Sequence, residues 1–306
     1  MSSQPHDDGI APYPLADYDG ERPPIAPWIA DLDLAEPESH RVKVLGANIE
    51  FCTWGQVDRP GILLVHGLLA HSRWWGPVAP LLAKDFRVAS LSLSGMGGSD
   101  WRTEYSFHQH AQEMLAVLQH AGLFHGAVKP ALIAHSFGAQ SAAVLAADHG
   151  EKLSRVIMVD TGIAPGKRPL SSIRGRRYKT LGHALSRFRL SPPQKCPNPW
   201  LVDEVARQGL VQDADGLWRW CFDPEYAVKL RYSCSFELLQ HSKCPMAFVY
   251  GENSALTPAP VRAAQRQQAP AGTTFTQIPD AAHHVMHDQP IRLASKLREL
   301  LPVPGH

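Results

Sequence analysis

The chain has 306 residues, enough for one large α/β domain with an insertion or for two domains, and its 30 lysines and arginines nearly cancel its 29 aspartates and glutamates. That balance argues against nucleic acid or a membrane surface as partner, and no apolar run approaches the ~18 residues that a spanning helix needs. The five cysteines (Cys52, Cys196, Cys221, Cys234, Cys244) are scattered without CxxC spacing, which argues against a disulfide framework or structural zinc site and for a reducing, cytoplasmic setting.

Residues 1–39 read as an arm rich in Pro, Asp and Gly, with many acids and one base, Arg22. Its first residues, MSSQPHDDGIAPYP, have neither the basic nor the apolar stretch of a secretory signal. From His40, RVKVLG and ANIEFCTWG alternate apolar and polar residues and predict two strands separated by Gly-Ala-Asn. GILLVHG (61–67) is a continuous aliphatic run closed by Gly, as in a parallel strand covered on both faces. A helix is predicted from Trp74 to Ala83, and RVASLSLSGMGGSD (87–100) reads as a buried strand with a Gly-rich turn. Residues 106–122 have helical spacing with Gly122 as the stop. ALIAHSFGAQSAAVLAADHG (131–150) reads strand, sharp turn, helix; RVIMVDTGIAP (155–165) follows as strand and loop. Residues 245–254 and 273–284 give two more strands with a helix between them, and 289–301 a closing helix. This alternation predicts an α/β fold, a mostly parallel sheet with helices on both faces. The core is expected over 40–162 and 244–306; residues 163–243 break the rhythm, show no clear strand, and read as a helical cap.

Within 131–150, Ala134-His135-Ser136-Phe137-Gly138 matches the nucleophile-elbow pattern G-x-S-x-G, with Ala for the first Gly, in the strand-turn-helix context the pattern requires. Small neighbours suit a chain that turns from strand into helix within about one residue. A serine hydroxyl is a poor nucleophile at neutral pH and needs a base, an acid to orient the base, and donors for the oxyanion. His283, in the loop after the last predicted strand, is the candidate base, with His284 and His287 as neighbouring alternatives. The backbone amides of Phe137 and Leu68 are the candidate oxyanion donors, and His66 is read as a structural hydrogen-bonding residue. His283 and His287 have i,i+4 spacing but lack the HExxH glutamate, so no metal is expected. SGMGGSD lacks the spacing of a dinucleotide loop, so no cofactor is expected either. Between Asp160 and Asp203 a run of nine bases (Lys167, Arg168, Arg174, Arg176, Arg177, Lys179, Arg187, Arg189, Lys195) meets no acid. It reads as a solvated face, an attractor of anionic substrate, or a seat for the acidic arm. Trp200, Trp218, Trp220, Phe222 and Tyr226 read as pocket lining or as packing of cap on body.

The ordered motifs, HG (66–67), SGMGGSD (94–100), AHSFG (134–138), and DAAHH (280–284) followed by DQP, resemble the α/β-hydrolase fold superfamily from about residue 40 to the end. The resemblance implies an eight-stranded, mostly parallel sheet, a lid inserted after the sixth strand, and a Ser-acid-His triad in that chain order. The family commonly places its acid after the penultimate strand, where this chain has Gly251-Glu252-Asn253-Ser254-Ala255, with Ser254 or Ala255 in the acid's place. The family's alternative location, the end of the sixth strand, holds Asp160. The resemblance therefore implies the triad Ser136, Asp160, His283, with Glu252 as the alternative acid; Asp280 stands too close to His283 in sequence. The activity it implies is hydrolysis of a carboxylic ester of a small-molecule substrate through an acyl-enzyme, with carbon-carbon bond hydrolysis on the same residues as one alternative and a non-catalytic binder as another.

Overall fold

In the computed structural model, which describes residues 13–32, 34–164, 175–233 and 235–301, eight strands form one sheet. Asp7, Asp8, Asp33, Cys234, and Lys167, Arg168 and Arg174 of the basic run lie outside the described residues. The strands are β1 (Glu38–Val44), β2 (Ala47–Trp54), β3 (Gly61–Val65), β4 (Arg87–Leu91), β5 (Ala131–His135) and β6 (Arg155–Val159), then, beyond an insertion holding β7 to β9, β10 (Met246–Gly251) and β11 (Thr274–Ile278). Their order is β1-β2-β4-β3-β5-β6-β10-β11. Only β2 runs antiparallel to its neighbours; the other pairings are parallel. The eight-stranded, mostly parallel sheet expected from the sequence is present.

The aliphatic runs are unbroken because both faces are covered. Leu63 and Val65 of β3 join one core cluster with Leu132 and Ala134 of β5 and the helices Phe107–His120 and Gly138–His149. Ile62 and Leu64 point the other way, to Ile133, Ile157, Trp75 and the closing helix Pro290–Leu300. An edge hairpin behaves differently. Its turn is Leu45-Gly46, at φ 47° and 82°, the left-handed pair of a tight two-residue hairpin; the sequence placed the break at Gly-Ala-Asn, but Ala47 and Asn48 already belong to β2.

Three expectations are corrected. The helix predicted over 74–83 is two single turns, Ser72–Trp75 and Ala79–Leu82, because Pro77 and Pro80 have no amide hydrogen to continue one helix. The first strand begins at Glu38, inside the segment read as arm. The insertion holds the helices Leu181–Leu185, Pro199–Gln208 and Tyr226–Lys229, but also a three-stranded antiparallel sheet of β7 (Arg177–Tyr178), β9 (Trp218–Trp220) and β8 (Leu210–Gln212), in that order. Strands of two or three residues are too short to leave a period in the sequence.

The described part of the arm packs on this insertion, with charges opposite to those the sequence suggested. Leu15 is buried among Leu185, Phe188 and Val205, the Arg187 guanidinium lies 4.2 Å over the Tyr13 ring, and Arg22 pairs with Glu204 and Asp203. Among the described residues no acid of the arm pairs with the basic run. Cys52, Cys196, Cys221 and Cys244 are free thiols, and no helix of the described residues is long and apolar enough to cross a membrane.

Candidate active site

β5 ends in register with β6, His135 opposite Val159, and the next residue of each strand is held in the left-handed region: Ser136 at φ 52° and Asp160 at φ 41°. Each such non-glycine residue costs of order 1–3 kcal/mol, which the surroundings must offset. The Ser136 amide donates to the Val159 carbonyl (3.0 Å), the Asp160 amide to the Val249 carbonyl (2.8 Å), and the Thr161 hydroxyl to the Ser136 carbonyl (3.0 Å). The helix Gly138–His149 starts within two residues of Ser136. A Cβ on Gly138 would stand 2.5 Å from the His66 carbonyl oxygen, so only glycine lets the helix start this close to β3. The end of β3 is equally close: a Cβ on Gly67 would lie 3.2 Å from Cβ of Ser136. Ser136 is partly exposed between buried His135 and Gly138. Among the described residues the amides of Leu68 and Phe137 donate to no acceptor within the protein. His66 fixes the loop beside them: its Nε2 accepts from the Leu93 amide (3.0 Å), which makes Nδ1 the protonated nitrogen that donates to the Gly67 carbonyl (2.6 Å).

The Asp160 carboxylate is fully buried and surrounded by donors. Oδ1 accepts from the Gly251 amide (2.9 Å) and the Thr257 hydroxyl (3.0 Å), and Oδ2 from the Ser254 hydroxyl (2.5 Å) and Nδ1 of His283 (2.7 Å). Four donors compensate the burial of a charge. Ser254 stands where an acid was expected in the loop after β10, and its hydroxyl instead caps the acid that comes from β6. Glu252, the alternative acid, is exposed, and its carboxylate accepts from the Asp280 amide at 3.1 Å, away from His283. Asp280 is exposed and faces Arg292.

The loop carrying His283 is fastened by Asp288 of the DQP motif and by Gln194, which no motif announced. It crosses Gly251 so closely that a Cβ there would meet the Ala282 carbonyl oxygen at 2.1 Å. Gln194 of the insertion donates to both oxygens of Asp288 and accepts from the His284 amide, each at 2.9 Å, while Asp288 accepts from the Ala282 amide (2.8 Å). His284 and His287 are buried against Trp74, and among the described residues neither ring nitrogen of either one has a hydrogen-bond partner. A cavity of about 630 Å³ beside the insertion is lined by Glu50, His71, Gly97, Arg219 and Cys221, and not by Ser136, Asp160 or His283.

Burial dominates the titration of these groups. It lowers His66 and His287 to about 3 and His71 to about 4, holds His135 and His284 well below the usual histidine range, and pushes Asp288 up to about 7. The unfolded chain therefore takes up more protons than the fold as the pH drops below about 6.5, and each such histidine costs up to about 1.4 kcal/mol per pH unit. Asp288 acts in the opposite sense, since the fold keeps its proton up to about 7, but it is one group against five. The histidine contribution should be full above about pH 6.5 and fall on acidification by more than Asp288 restores, so the urea midpoint at pH 5 should lie well below that at pH 7.5. An equal or higher midpoint at pH 5 contradicts the buried, neutral state of these rings.

A family model described as the alpha/beta hydrolase family matches residues 62–296. Fluoroacetate dehalogenase of a Burkholderia species is 29% identical over 109 residues, 33% of this chain and only 34% of that protein. The 3-hydroxybutyrate-oligomer hydrolase of Cupriavidus necator is 24% identical over 269 residues, 79% of this chain and 88% of its own. Among solved structures, the thioesterase domain from the curacin biosynthetic pathway superposes with a TM-score of 0.72 at 22% identity, over 86% of this chain and 100% of that one.

Proposed function

We propose, from the premise that this chain belongs to the alpha/beta hydrolase family and is a hydrolase, that it cleaves a small carboxylic ester through an acyl-enzyme on Ser136. One observation carries the reading: the buried hydrogen bond from Nδ1 of His283 to Asp160 (2.7 Å), on the strand end next to a serine held at φ 52°. With Nδ1 donating, the lone pair of His283 is on Nε2, the form a general base requires. Ser136 Oγ attacks the carbonyl carbon while His283 Nε2 takes its proton, and the Leu68 and Phe137 amides receive the negative charge on the carbonyl oxygen. The imidazolium then protonates the leaving alcohol. Water, deprotonated by the same imidazole, attacks the acyl carbon and frees Ser136. Asp160 touches neither substrate nor the moving proton; it holds the tautomer and favours the charged ring.

A non-catalytic binder is favoured only by the lack of an acid at 254–255, and Asp160 presents a carboxylate to His283 from the neighbouring strand end. The insertion acts as the cap over this edge of the sheet, and Gln194 ties it to the loop of His283. Free thiols at all four described cysteines support a reducing, cytoplasmic setting.

Purified enzyme is tested on 4-nitrophenyl esters of graded acyl length. The expected result is saturable hydrolysis with an optimum at one chain length, set by the acyl pocket. No hydrolysis above the uncatalysed rate for any member contradicts the ester reading.

A further inference from the structure

Beside the elbow lies a cluster of three histidines, of which the mechanism uses only His283. One ring nitrogen each of His135, His283 and His284 lie within 4.8 Å of one another, and all three side chains are buried. Their ring centroids are 4.6 Å (135 to 283), 4.8 Å (283 to 284) and 5.8 Å (135 to 284) apart. Among the described residues Nδ1 of His135 and both nitrogens of His284 have no hydrogen-bond partner. Each buried, unpaired polar group costs about 1–3 kcal/mol, and an apolar side chain of the same size would fill the space without that cost. The remaining nitrogens are oriented as in metal-ligating histidines, which present one nitrogen while the other is held by a carbonyl or carboxylate. Nε2 of His135 donates to the His283 carbonyl (3.0 Å) and Nδ1 of His283 to Asp160 (2.7 Å).

We propose that His135, His283 and His284 form a binding site for a late first-row divalent cation, Zn²⁺ foremost, and that its occupation switches the hydrolase off. An all-imidazole set selects Zn²⁺, Cu²⁺ or Ni²⁺ over Mg²⁺ and Ca²⁺, which demand oxygen ligands. Zn–N bonds of about 2.0–2.1 Å in a tetrahedral set need nitrogens about 3.4 Å apart, so nitrogens now within 4.8 Å of one another must close by up to about 1.4 Å, with water as the fourth ligand. The inhibitory half rests on the reading of His283 as general base, and it holds whichever nitrogen binds. A cation on Nε2 occupies the lone pair that accepts the serine proton; one on Nδ1 displaces Asp160.

The full chain, stripped with a chelator, is titrated with ZnCl₂ by calorimetry while 4-nitrophenyl ester turnover is followed in parallel. One Zn²⁺ should bind per chain, turnover should fall with the same saturation curve, and EDTA should restore it. His284→Gln and, separately, His135→Gln should each weaken binding about tenfold or more. Co²⁺ added to the wild type should give the visible bands of a tetrahedral site, a reading that needs no variant to fold. No Zn²⁺ binding to the wild type, no tetrahedral Co²⁺ spectrum, or binding undiminished in both variants overturns the site. Zn²⁺ bound with full turnover overturns the inhibition. If no ester is hydrolysed at all, the catalytic reading fails while calorimetry and Co²⁺ spectra still decide the metal site.

Discussion

Replacing Asp160 by Asn should lower kcat by about 10⁴-fold, the loss expected when the orienting acid of a serine triad becomes an amide. The surroundings make the reason specific. Every contact of the native carboxylate is with a donor: the Gly251 amide, the hydroxyls of Thr257 and Ser254, and Nδ1–H of His283. An amide nitrogen in either orientation sets a donor against a donor. Turned toward His283, it favours the ring with the proton on Nε2, which cannot accept from a serine. Glu252→Gln is the control: this side chain is exposed and bonds only the Asp280 amide in the described structure, so its kcat should stay within about twofold of wild type. Steady-state kinetics of the two variants checks the assignment. A loss under about tenfold in Asp160→Asn, or a large loss in Glu252→Gln, would move the acid.

Ser136→Ala should cost more, about 10⁵- to 10⁶-fold in kcat, because it removes the atom that forms the covalent bond in the proposed mechanism. The same substitution should scarcely alter the melting temperature. Among the described residues the Ser136 hydroxyl holds no hydrogen bond, the backbone bonds at 136 do not involve the side chain, and alanine tolerates φ 52° no better and little worse than serine. Turnover and thermal unfolding measured together separate a chemical defect from a folding one. Activity within about tenfold of wild type would mean that another nucleophile does the work.

Much of this arrangement was legible in the residues. A continuous aliphatic run marked β3 as a strand covered on both faces, apolar segments before turns marked β4, β5 and β6, and the small residues of Ala-His-Ser-Phe-Gly marked the tight junction after β5. Asp160 became a candidate acid because the loop after β10 offered serine in the expected place. What was hidden is long-range. Nothing local in Gly-Glu-Asn-Ser announces that the Ser254 hydroxyl meets a carboxylate 94 residues earlier, or that Gln194 fastens a loop 90 residues later. His135 read only as a filler of the elbow motif, and its meeting with His284 depends on how the loop after β11 folds back over β5. The strands of the insertion, two or three residues long, carry no period to detect. The arm misled in another way: its acids drew attention to the basic run, whereas among the described residues no arm acid pairs with that run, and it is Tyr13, Leu15, Tyr18, the Gly20 carbonyl and Arg22 that meet the insertion.

Hydrolysis by the proposed route requires a covalent bond at the Ser136 hydroxyl. The enzyme is incubated with a fluorophosphonate, its intact mass is recorded, and the modified peptide is sequenced by mass spectrometry. The predicted result is a single adduct per chain, located on Ser136, and lost in Ser136→Ala and strongly slowed in Asp160→Asn. An unmodified wild type, or an adduct on any other residue, contradicts the account.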